Sequence, residues 1–144
     1  MYTTDAIFTT VNVSHDIPEQ RVRDMLCSAW VGGSNYWAVY KSRTMTPAGL
    51  KAVEALRKER AATDDHCVYI HEYPFIEGVA LILEVNDEDD PKPLTLDRDA
   101  LIRGLRIMAE KYPREFHDFL TENDDAGTGD TFLQCCLFGE AIYG

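Results

Sequence analysis

The stretch LILEVNDEDDPKPLTL, residues 81–96, passes from apolar strand-like sequence into four successive acids, Asp87, Glu88, Asp89 and Asp90, and leaves through two prolines. Such a run suits a calcium loop, an imitation of a phosphate backbone, or a solvated turn. An EF-hand needs oxygens at positions 1, 3 and 5, glycine at 6 and glutamate at 12. Counting from Asp87 places Pro91 at the fifth position and Lys92 at the sixth, so the template fails. Counting from Glu122 supplies Asp124 and Gly127, but Ala126 and Leu133 remove two obligatory ligands. Imitation of DNA needs acids in a row, because the duplex carries one charge per about 1.7 Å of axis. Glu84 with Asp87, Glu88, Asp89 and Asp90 forms one acidic group. Glu115, Asp118, Glu122, Asp124, Asp125 and Asp130 form a second. A stripe results only if both groups share a face, and the intervening Arg98, Arg103, Arg106, Lys111 and Arg114 would neutralise part of its field.

For a transition metal the candidates are His66, Cys67 and His71, with Asp64 and Asp65 upstream. On a strand over 67–73, Cys67 and His71 share one face and His66 takes the other, which reads as a core cysteine with two edge histidines. A small enzyme or metal-dependent protein centred on His66 and His71 is the alternative. Ser14, His15 and Asp16 are contiguous, but sequence neighbours rarely face one another, and Asp16 is placed to cap a helix. GxSxG, GxxxxGK[ST] and strand-linked GxGxxG elements are absent, so neither a catalytic residue nor a cofactor is expected. Tyr36, Trp37 and Tyr40 beside Gly32 and Gly33 offer an aromatic binding patch, since Tyr and Trp are frequent interface anchors.

The 144 residues suit one domain with its own core, and 45% hydrophobic with 27% charged residues is ordinary globular usage. Twenty-five acids against 14 bases give a net charge of -11. That field opposes bare nucleic acid and anionic lipid and favours cationic partners, including the surface of a protein that itself binds nucleic acid. The first residues, MYTTDAIFTTVNVSHD, lack the basic and apolar regions of a secretory signal. No apolar run reaches the roughly 18 residues of a membrane span, so a cytoplasmic protein is expected. Cys27, Cys67, Cys135 and Cys136 fit free thiols, the last two being adjacent in a helical pattern where a mutual bridge would be strained.

The elements that must position these residues follow from periodicity. DAIFTTVNV, 5–13, is β-branched and partly alternating, which predicts a first strand. Asp16, Pro18 and Glu19 predict a helix from Pro18 to Val31 with Val22, Met25, Leu26, Ala29 and Trp30 on its apolar face. NYWAVYKS predicts a short strand, and Thr46 with Pro47 a helix to Arg60. HCVYIHEY and GVALILEV read as an antiparallel hairpin turning through Pro74 and Gly78. Thr95 or Asp97 caps a helix to Lys111, and Pro113 opens another that buries Phe116, Phe119 and Leu120. ENDDAGTGD reads as a loop, with Thr128 or Asp130 capping an apolar last helix. The expected class is α+β: an antiparallel sheet of about three to four strands against about four to five helices, with the C-terminal helix in the core. A homodimer through a strand edge or that helix is compatible with this arrangement, and a purely structural homo-oligomer is the third functional alternative.

GGSNYWAVY together with KYPREFHDFLTENDDAGTGDTFLQCCLFGEAIYG resembles small accessory proteins carried by phages and plasmids, which share a YWA element and a closing FLQ..LFGE..YG helix. Gly33 to Ala38 and Lys111 to Gly144 carry the likeness. It implies mobile-element origin, and small acidic proteins of such elements often act against host defence, as anti-CRISPR proteins do. The expectation is therefore stoichiometric binding to a host protein or nucleoprotein complex with a cationic surface. The contact would be made by Asp87, Glu88, Asp89, Asp90, Glu122, Asp124 and Asp125 as a DNA-mimic face, with Tyr36 and Trp37 as anchors.

Overall fold

The computed structural model describes residues 4–63 and 67–144. Its elements are α1 (Glu19–Ser28) continued by a π-turn (Ala29–Gly33), β1 (Ala38–Met45), α2 (Pro47–Ala61), a 3-10 segment (Ile70–Phe75), β2 (Val79–Val85), β3 (Leu94–Leu96), α3 (Arg98–Lys111), α4 (Pro113–Leu120) and α5 (Ala126–Phe138). The fold is α+β. The antiparallel sheet has the order β1-β2-β3, with Ala38 opposite Val85 and Leu81 opposite Leu96. Alternation in β2 buries Val79, Leu81 and Leu83 on one face. Lys41 is the extra residue of a bulge in β1, where the register shifts between Tyr40 and Ser42.

Local signals placed α2, α3 and α4. Thr46 Oγ1 accepts from Gly49 N at 3.0 Å, Asp97 Oδ1 accepts from Ala100 N at 2.9 Å, and Pro47 and Pro113 occupy first turns. α5 lies in the core, burying Phe132, Leu133, Cys135 and Cys136 against α1 and α3. Two glycines make this approach feasible. A Cβ on Gly129 would sit 2.7 Å from the Met25 carbonyl oxygen in α1, and one on Gly104 would sit 2.3 Å from Cys136 Sγ.

Four expectations are corrected. Residues 5–13 form no strand; they run exposed, because a half-apolar strand needs a neighbouring edge and among the described residues no strand pairs with them. The hairpin between 67–73 and 79–85 does not form. Ile70–Phe75 is a 3-10 turn, Pro74 lacks an N–H for a ladder, and Tyr73, Pro74 and Phe75 are buried, so β2 pairs with β1 instead. Asp16 does not cap α1: the cap position is Pro18, and Glu19 is drawn to Arg98 at 2.7 Å and Arg23 at 2.8 Å. Finally, α5 is capped by Asp125 rather than Thr128 or Asp130, so AGTGD is its first turn and not a loop. Among the described residues no helix is long and apolar enough to cross a membrane, and all four cysteines are free.

Candidate functional site

The early start of α5 sets the geometry of the molecule's main polar site. Asp125 Oδ1 accepts from Thr128 N at 3.0 Å, and Thr128 Oγ1 accepts from Asp125 N at 3.2 Å. The bonds that the carboxylate accepts from Thr128 N and from the Thr128 hydroxyl, the latter at 3.2 Å, hold Asp125 below the usual range. Asp130 then falls inside the helix, 9% exposed, facing the segment between the π-turn and β1. Ser34 Oγ and Trp37 Nε1 donate to Asp130 Oδ1 at 2.8 and 2.7 Å. Tyr36 Oη and Gln134 Nε2 donate to Oδ2 at 2.6 and 3.1 Å. Gln134, one turn further along α5, also ties down the C-terminus: its Oε1 accepts from Ile142 N at 2.7 Å and Tyr143 N at 2.8 Å. Tyr143 in turn stacks on Trp37 with ring centroids 5.4 Å apart.

A carboxylate offers about four lone-pair positions. Four donors occupy them, so Asp130 has no free lone pair with which to accept a substrate proton. Its chemistry is that of a clasp. Hydrogen bonds to a charged acceptor contribute about 1.5–3 kcal/mol each, which offsets the desolvation of the carboxylate. Tyr36 is pushed up to about 12, first by burial of its hydroxyl end and then by the hydrogen bond to and charge of Asp130, so the phenol remains a donor. The segment from Ser34 to Trp37 and the C-terminal helix therefore meet at Asp130. Sequence reasoning missed Ser34, Asp130 and Gln134 as a unit. The available signal was an Asp and a Gln four residues apart on one face of an otherwise apolar helix.

The acidic turn lies at the end of the sheet next to this clasp. Ala38 pairs with Val85 and Asn86 N donates to Trp37 O at 2.6 Å, so residues 35–37 and 86–90 leave the sheet together. Asp87 adopts a positive φ of 62° that turns the chain into solvent. Asp87, Glu88, Asp89 and Asp90 are all exposed and form no hydrogen bond or ion pair among the described residues. Tyr36 is 53% exposed and directly precedes Trp37, whose carbonyl accepts from Asn86 N.

The remaining candidates disperse. Asp124 pairs with Arg21 at 3.2 Å, Glu122 reaches the same guanidinium at 3.9 Å, and Arg21 also donates to the Phe119 carbonyl. Asp125 caps α5 and Asp130 is buried, while the Glu122 side chain, 74% exposed, stays at the surface. Trp37 as an exposed anchor is corrected: it is 2% exposed, enclosed by Phe138 and Tyr143. Tyr40 is half-buried against Trp30. His66, Asp64 and Asp65 lie outside the described residues. His71 stacks on Tyr69 at 5.9 Å, and burial lowers its pKa. Burial raises the pKa of neighbouring Glu72, but bonds from Arg60 at 2.6 and 2.8 Å and from Tyr69 N at 2.8 Å, with the charges of Arg60 and His71, together leave it lowered. Burial pushes Cys135 up to about 11, and raises Cys27 and Cys136 as well, so these thiols stay protonated near neutrality. Among the described residues no three His, Cys, Asp or Glu side chains are grouped to hold a metal ion. No family model, no curated protein and no solved structure matches the chain.

Proposed function

We propose that the chain is a mobile-element accessory protein that works in the cytoplasm of a host cell by stoichiometric protein binding. Its acidic turn docks on a cationic, nucleic-acid-binding surface of a host defence complex, in the manner of an anti-CRISPR protein. The observation that carries the reading is the set of four unpaired, exposed carboxylates at Asp87–Asp90, which follow the last β1–β2 pair. Successive residues of an extended chain advance at most about 3.3–3.6 Å, comparable with the roughly 3.4 Å axial spacing of the phosphates on one DNA strand. The net charge of -11 would steer such an encounter from a distance. Glu122 and Asp124 reach Arg21 and Asp125 caps α5, so the reading rests on the turn.

The test is capture of partners from host lysate by the tagged chain at low ionic strength, followed by stepwise salt elution and mass spectrometry. The reading expects a nucleic-acid-binding complex that added duplex DNA displaces. Recovery of the chain alone contradicts it.

A further inference from the structure

The longest run of exposed apolar side chains lies in the N-terminal arm. Ile7 is 84% and Phe8 99% exposed, Val11 and Val13 are exposed as well, and no backbone group of residues 7–17 bonds to another described residue. The arm emerges from a cleft of about 550 Å³ whose floor is Ile102, Leu105 and Ala109 of α3 and Phe116 of α4. Val13 and Ile17 at the base of the arm line one wall, and His15 meets the Phe116 ring edge-on at 6.0 Å. Beyond Val13 the chain leaves the cleft for solvent with its apolar residues uncovered.

We propose that the cleft receives the arm of a second copy of this chain, in a reciprocal two-fold exchange. A return of the arm onto its own cleft requires a reversal between Phe8 and Val13, where Thr9, Thr10 and Val11 favour extended backbone and no glycine or proline is present. A two-fold axis beside the cleft removes that requirement, because each extended arm then crosses directly into the facing cleft. Charge agrees with this occupant. Residues 4–16 carry Asp5 and Asp16 and no Lys or Arg. On α3, Arg103 and Arg106 are exposed with no ion-pair partner among the described residues, and Arg106 lines the cleft.

Sedimentation of the full chain across a concentration series tests the exchange, with Phe8→Asp in the arm and Ile102→Glu in the cleft as variants. Both positions are exposed, and circular dichroism checks that each variant folds. The wild type is expected at twice the 16.3 kDa chain mass, with each variant raising the dimer dissociation constant at least about tenfold. Mixing the two variants restores part of the dimer, because a wild-type arm then meets a wild-type cleft once per pair. A wild type that stays monomeric overturns the proposal, whether its arm is protected from protease on its own cleft or cleaved. A dimer indifferent to both variants, or one that mixing does not restore, overturns it too.

Discussion

Trp37 Nε1 donates to Asp130 Oδ1 at 2.7 Å, joining residues 93 positions apart and fixing the start of β1 to the middle of the core helix. The carbonyl of the same Trp37 accepts from Asn86 N at 2.6 Å, at the residue from which the acidic turn departs.

Asp130→Ala is expected to lower stability by about 2–4 kcal/mol, because four donors lose their acceptor in a buried site. Urea unfolding followed by tryptophan fluorescence measures the loss. A change below about 0.5 kcal/mol would show that water replaces the carboxylate at no cost.

Trp37→Phe separates the hydrogen bond from the ring. The phenyl ring keeps contact with Tyr143 and Phe138 but leaves Asp130 one donor short, so a loss of about 1–3 kcal/mol is expected. The double variant with Asp130→Asn should lose less than the sum of the two single variants, since both remove the same bond.

Gly129→Ala is expected to destabilise by about 1–3 kcal/mol despite alanine's higher helix propensity. The added methyl would stand 2.7 Å from the Met25 carbonyl oxygen and 2.8 Å from Ala29 N, forcing α1 and α5 apart. Thermal unfolding decides between propensity and packing: a raised melting temperature would mean that the helices yield freely.

The pH dependence has a definite sign at both ends. Tyr36 holds its proton more tightly in the folded chain, about 12 against 10.0 for a free phenol. Its contribution is therefore complete below pH 10 and is lost as pH rises towards 12. Asp125 and Glu72 are shifted down, so their contribution is present above the ordinary carboxylate range and fades as pH falls below about 4. Phenol absorbance during an alkaline titration, compared between the wild type and Tyr36→Phe, isolates the first effect. A Tyr36 phenol titrating at 10 contradicts it.

The sequence was legible wherever a signal was local. Thr46, Asp97 and Pro113 each mark a helix start within a single turn, and the structure places those starts as the caps dictate. The β-branched run at 5–13 misled because strand propensity describes a surface that needs an edge, and the edge is a property of the whole chain. Gly127 and Gly129 suggested a loop, whereas Gly129 is required for the contact between α1 and α5. Asp130 was read as a surface acid or a cap for the same reason: once the helix starts at Ala126, the side chain must turn inward. The exposure of the acidic turn was legible, but its start next to Trp37 depends on β1–β2 pairing, which no local pattern encodes.

The central claim concerns the four carboxylates of the turn, and neutralising them tests it most directly. The variant carrying Asp87→Asn, Glu88→Gln, Asp89→Asn and Asp90→Asn should fold with unchanged or slightly higher stability, because like charges are removed and no pair is broken. Captured partners would then be compared between wild type and variant at ionic strengths from about 0.05 to 0.5 M, over which the screening length shrinks severalfold. The account predicts that the wild type retains a DNA-displaceable complex at low salt and that the variant does not. Equal retention by both proteins would contradict it.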